Sequence, residues 1–155
     1  MVPASKLATM VVPQTVTNAG TLTGYVDTKG YDFATINLVS ETVAATDIPT
    51  VMRLGQSDTT PTAFTDTTVI TSFVGGTATS TTVGFVIPTP VITTSVGANT
   101  YNTQFRVDLK GKKRYLAIEF SPITTHTLSI DCILERGEES PEGTSLANVL
   151  ALVTE

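Results

Sequence analysis

One feature constrains this chain above all others, the alternation of apolar and mostly polar residues toward its C-terminal third. From His126 to Arg136, Leu128, Ile130, Cys132 and Leu134 alternate with Ser129, Asp131 and Glu135. From Phe105 to Phe120, Phe105, Val107 and Leu109 alternate with Arg106 and Asp108; then Leu116, Ile118 and Phe120 alternate with Tyr115, Ala117 and Glu119. A period of two describes a β-strand that buries one face and shows the other to water or a partner. Lys110-Gly111-Lys112-Lys113 lies between the two halves of 105–120, with Gly111 available for a positive φ. The spacing therefore predicts a β-hairpin with a basic tip. Leu116, Ile118, Phe120, Leu128, Ile130 and Leu134 are the predicted core.

The rest of the chain repeats the theme in shorter pieces. Strand-like segments at 11–17, 22–27, 31–39, 50–54, 69–74, 83–87 and 91–94 are separated by Gly, Pro and Asn turns, with a long polar loop at 55–66. Such spacing predicts an all-β fold, a single antiparallel β-sandwich of either jelly-roll-like or immunoglobulin-like topology. In 31–39, Ala34, Ile36 and Leu38 share one face, while Tyr31, Phe33 and Val39 make a second apolar one. A strand apolar on both sides is central in its sheet or covered by a neighbouring subunit. Residues 1–10, with Pro3 and then Pro13 nearby, read as an extended N-terminal arm before a sandwich domain at 11–136. Residues 137–155 read as an acidic linker followed by an apolar tail. There Leu146, Val149, Leu150 and Val153 fall at i, i+3, i+4 and i+7, one helical stripe. So short a helix needs a surface to dock on.

Composition narrows the function. Only 15% of residues are charged, against roughly 25% in an average soluble domain. Roughly a fifth are Thr, whose β-branched side chain suits a pleated, neutral surface. The net charge of −5 argues against nucleic acid as a partner. No apolar run is long enough to span a membrane, and the first thirteen residues lack a secretory pattern, so synthesis in the cytoplasm is expected. The single Cys132 excludes an intramolecular disulfide and, on its inward face, reads as a small buried hydrophobe. His126, the single histidine, reads as a half-exposed strand residue and not as a base or metal ligand. Asp58 and Asp66 offer hard oxygen ligands, but without calcium-loop spacing. Lys110, Lys112, Lys113 and Arg114 read as a solvated turn. Tyr25, Tyr31 and Tyr101 would make a weak sugar platform in a chain without Trp. No nucleophile elbow, phosphate loop or dinucleotide fingerprint is present, so neither catalysis, a cofactor nor a bound metal is expected.

Four segments nevertheless resemble a known group. Gly30-Tyr-Asp-Phe-Ala-Thr-Ile-Asn-Leu38, then Met52-Arg-Leu-Gly-Gln-Ser-Asp-Thr-Thr60 and Phe64-Thr-Asp66, together with Lys113-Arg-Tyr-Leu-Ala-Ile-Glu-Phe120, are similar to strands and turns of virion structural proteins of tailed bacteriophages. The similarity covers roughly residues 24–135. It implies a capsid decoration (cement) protein on the virion surface, with the major capsid protein and sister copies in a homotrimer as partners, and no membrane partner. The subunit and capsid contacts expected on this basis use Leu146, Val149, Leu150 and Val153 of the tail, with Tyr31 and Phe33. A tail, neck or receptor-binding virion component, or a sugar-binding β-sandwich module, are the alternative readings.

Overall fold

The computed structural model describes residues 5–42, 49–73, 76–77, 80–84 and 100–136. Ten strands account for nearly all of their regular structure: β1 (Ser5–Val16), β2 (Leu22–Asp27), β3 (Phe33–Thr42), β4 (Val51–Ser57), β5 (Thr68–Val69), β6 (Ser72–Phe73), β7 (Gly76–Thr77), β8 (Thr100–Asp108), β9 (Tyr115–Ser121) and β10 (His126–Glu135). A short 3-10 turn, Phe64–Asp66, precedes β5. Sheet I has the order β1-β10-β3-β8 and sheet II the order β2-β9-β4-β5; both are antiparallel, and β6 and β7 pair only with each other. The chain is all-β.

Alternation explains why one core serves both sheets. Ala34, Ile36, Leu38, Val107, Leu128, Ile130, Cys132 and Leu134 point inward from sheet I, and Val26, Met52, Leu54, Leu116, Ile118 and Phe120 from sheet II, into a single apolar cluster. Burying side chains of this size stabilises the fold by about 1.5–3 kcal/mol each before ordering costs. All six predicted core residues lie at 2% exposure or less.

Pairing is nested. β1 pairs with β10, β2 with β9, β3 with β8, and β4 with β5, so the chain behaves as one long antiparallel ribbon rolled until β10 also meets β3, and β9 meets β4. Apart from β4 and β5, the strands of the two main sheets change sheet at each step along the chain.

The predicted hairpin at 105–120 is thus corrected. β8 and β9 are both strands, but β8 pairs with β3 in sheet I, and β9 lies between β2 and β4 in sheet II. The connection is a corner. Leu109 turns into the core, its N–H donates to the Asp32 carbonyl at 2.8 Å, and Lys112 N–H donates back to the Leu109 carbonyl at 2.9 Å. Gly111 supplies the expected positive φ of 74°. The Thr28 backbone N–H and hydroxyl both donate to the Arg114 carbonyl, at 2.9 and 2.6 Å, so the corner is fastened to the β2–β3 connection. Alternation fixed the faces of 105–120; it held no information about which strand lies alongside.

The N-terminal arm is a second correction. Residues 5–10 belong to β1, whose pairing begins at Ser5 opposite Glu135. Pro13 is tolerated because β1 is an edge strand and its register shifts between Val11 and Gln14, where a missing N–H costs no ladder bond. The polar loop is shorter than expected, since Gly55, Gln56 and Ser57 continue β4. The strand expected at 69–74 is divided between β5 and β6. Residues 1–4, the segment expected as strands at 85–87 and 91–94, and the tail at 137–155 lie outside the described residues.

Candidate functional site

The side chains with reactive groups are occupied structurally. His126 is not half-exposed: it sits at 2% exposure on the inward face of β10, with Nε2 3.1 Å from the Thr124 hydroxyl and its ring 6.2 Å from that of Phe120. Cys132 is fully buried among Ile and Leu side chains, and burial pushes its thiol up to about 12. The Asp66 carboxylate accepts from Thr62 N–H and hydroxyl, both at 2.8 Å, and from Ala63 N–H at 2.9 Å. Those bonds hold the 3-10 turn and keep the carboxyl below its ordinary range. Asp58 faces Lys113 at 3.5 Å. Among the described residues, no group of three His, Cys, Asp or Glu is placed to hold a metal ion. No helix among them is long and apolar enough to cross a membrane.

Arg114 and Lys113 of the basic corner are similarly engaged. Arg114 donates two bonds to Asp27, at 3.0 and 2.7 Å, and lies 4.9 Å from the Tyr115 ring centroid. The guanidinium draws the Asp27 carboxyl down to about 2. Lys113 N–H donates to Gln56 Oε1 at 3.1 Å. The three tyrosines considered as a platform are dispersed: Tyr25 on β2 of sheet II, Tyr31 in the β2–β3 connection, and Tyr101 on β8 of sheet I.

What remains is surface, and the two sheets present different surfaces. On sheet II, the turn at 64–67 lies over the outward positions of β4 and β9. Ala117 points outward yet is fully buried, and a Cβ at the neighbouring Gly55 would collide with Thr67. Arg53 anchors this roof. It is ion-paired to Glu119, donates to the Thr81 carbonyl at 2.9 Å, and stacks with its guanidinium 4.6 Å from the Phe64 ring centroid.

Sheet I has no such roof among the described residues. Register places Glu135 between Ser5 and Phe33, Ile133 between Leu7 and Thr35, and Asp131 between Thr9 and Asn37, all on the outer face. Directly opposed residues share a face and touch, and diagonal neighbours lie within reach of large side chains. Leu7, Ile133 and Phe33 therefore form one apolar group, with Leu7 69% and Phe33 43% exposed. Val39, at 39%, stands farther along β3. Gln104 bridges Asn37 and Arg106 at 2.8 and 2.9 Å on the β8 side.

Of the expected contact residues, Phe33 is on this open face. Tyr31 is not: it precedes β3, where strand parity does not yet apply, and packs half-buried against the core. Leu146, Val149, Leu150 and Val153 lie outside the described residues. Leu7 has no period-two signal in Ser5-Lys-Leu-Ala-Thr9, whereas Ile133 is the one apolar residue on the polar side of β10 and could be found by that. The Arg53–Glu119–Phe64 arrangement had no sequence signal, because its members come from separate parts of the chain. Compared with known proteins, the chain matches no family model and no curated protein sequence.

Proposed function

We propose that this chain is a non-enzymatic virion structural protein, a decoration protein that binds the outside of a phage head and stabilises contacts between capsomers. Its nested pairing, with orders β1-β10-β3-β8 and β2-β9-β4-β5, supports a jelly-roll sandwich, the first of the two topologies open from sequence. Jelly rolls occur in viral capsid proteins and also in lectins and cupins, so the architecture supports the reading without selecting it. The observation that carries it is the outer face of sheet I, where Leu7 and Phe33 are exposed around Ile133, with Glu135, Asp131 and Asp108 at the margin of the group. A contiguous exposed apolar group on an open sheet face suits adhesion to another protein. His126 and Cys132, the side chains best suited to catalysis, are spent in the core.

On this reading the partners are the major capsid protein and sister copies in a homotrimer, contacted through Phe33 and its neighbours and through the tail at 145–153. The protein works at the capsid surface and binds neither nucleic acid nor membrane. The test is co-sedimentation with purified head shells of the phage that encodes the chain, alongside light scattering of the free protein. Saturable binding to heads is expected, with a particle mass three times the 16.3 kDa chain. Phe33→Asp should weaken head binding by about tenfold or more. Absence from heads, with presence on purified tails, would replace this reading with the tail-component alternative.

A further inference from the structure

We propose that copies of this chain join edge to edge, β1 of one hydrogen-bonded to β8 of the next, in a closed ring of three. This rests on the homotrimer reading above and deepens it by naming the contact. Both margins of sheet I carry strand edges whose backbone groups meet no partner among the described residues. Leu109 N–H donates to the Asp32 carbonyl at 2.8 Å. By the alternation of an antiparallel ladder, the N–H and C=O of Val107 then face β3, and those of Gln104, Arg106 and Asp108 face away from it. Carried through β3 and β10, the same alternation turns Lys6 and Ala8 toward β10, and Ser5, Leu7 and Thr9 away. Among the described residues, no backbone bond outside the ladders reaches any of these last six, and all six are exposed. Such an edge is a template for another strand.

Direction and charge select that strand. Neighbouring strands of sheet I run in opposite senses, so β1 and β8, three steps apart, are themselves antiparallel. Copies set side by side in one orientation therefore bring β8 of one along β1 of the next, ready to pair. The facing groups belong to Ser5, Leu7 and Thr9 on one strand and Gln104, Arg106 and Asp108 on the other. No register of these opposes like charges, because Lys6, the single charge on β1, has the other parity. The stretch Ser5–Thr9 is also undefended. Pro13 and the register shifts lie beyond it, and Gly24 of β2 packs against Met10 and Val11. Pairing β1 with β1 about a two-fold axis would leave β8 open, whereas β1 with β8 uses both edges. A head-to-tail contact of this kind closes into a ring when the rotation per copy fits.

Engineered cysteines in the full chain test it. Leu7→Cys is combined in turn with Gln104→Cys, Arg106→Cys and Asp108→Cys, three registers of the same ladder. Within one molecule β1 and β8 stand roughly 14 Å apart, three steps of about 4.8 Å, whereas a disulfide needs Cα atoms within about 7 Å. Any disulfide in these pairs must therefore join two molecules; the native Cys132 is buried and does not compete. At least one pair should oxidise to a covalent species of three times the 16.3 kDa chain, while Leu7→Cys alone should give none. In the unaltered protein, the Leu7 and Arg106 amides should resist hydrogen exchange as well as those of Ala8 and Val107. A trimer by light scattering with no cross-link from any pair would overturn this contact and leave the homotrimer reading standing; a monomer would remove both. Covalent dimers from Leu7→Cys alone, products running past three copies, or Leu7 and Arg106 amides exchanging about tenfold faster than Ala8 and Val107 would also overturn it.

Discussion

The outer faces of the two sheets follow the same alternation and meet opposite fates. Under the roof of sheet II the outward residues are small, Gly55 and Ala117, and Ala117 is fully buried. On sheet I they are large, Leu7, Ile133, Phe33 and Val39, and three of these are more than a third exposed. Small residues admit a close backbone, so the chain has made room on sheet II for a segment of its own. Large apolar residues left open do the reverse: they provide contact area for something that arrives from beyond the described structure. The difference shows that "outward" in a strand pattern does not mean "solvated", and that side-chain size carries information that polarity alone does not.

The sharpest break of this comparison is a charge placed on each face. Ala117→Asp would bury an unpaired carboxylate beneath the roof and should cost more than about 4 kcal/mol. Phe33→Asp on the open face should cost about 1 kcal/mol or less, both read from urea midpoints. Similar losses would mean that sheet I is roofed as thoroughly as sheet II. Next in size are the core truncations. Ile118→Ala on sheet II and Ile130→Ala on sheet I should each lose about 2–5 kcal/mol, because both are fully buried in one cluster. A melting temperature unmoved by either would remove that sheet from the shared core. Arg53→Met should cost about 1–3 kcal/mol, since it strands the mostly buried Glu119 carboxylate, and should speed proteolysis within 58–67. Unchanged cleavage would show the roof to be anchored by other contacts.

The smallest effect is electrostatic. Asp27 is held at about 2 by Arg114, below its ordinary 3.8. Its contribution is therefore complete above about pH 4 and lost as pH falls through about 2. The pair is well exposed and screened, so the loss should be about 0.5 kcal/mol or less. Asp27→Asn should flatten the stability profile by that amount between pH 5 and pH 2 at low salt.

Faces were legible in the sequence and neighbours were not. The inward set of β10 and the core face of β3 follow directly from alternation, because a buried face demands an apolar residue at every second position. The partner of a strand has no such local signature. Thus 105–120 resembled a hairpin, although Leu109 points into the core and the chain crosses between sheets there. Pro13 suggested an arm until edge position and a register shift made it harmless in β1. His126 has polar neighbours in the sequence, yet it occupies the inward parity of Leu128 and Ile130. Phe33 could be found as a second apolar face, whereas Leu7 was hidden by the reading of residues 1–10, and the roof over Ala117 depends on residues far away in sequence.

Nested pairing also sets a timetable. β1 cannot form its ladder until β10 has been made, since Ser5 pairs with Glu135 and Val16 with His126. At about 5–20 residues per second, synthesis to Glu135 takes roughly 7–27 s, and β1 waits throughout with Leu7, Val11 and Val12 unpaired. Contacts between positions so distant in the chain also make refolding slow, on the order of milliseconds to seconds. The closed end of the ribbon, where β4 meets β5, can zip first, and closure then runs outward toward β1 and β10. A bulky fusion ahead of Ser5 should therefore delay maturation more than an insertion of equal size between Asp58 and Thr60.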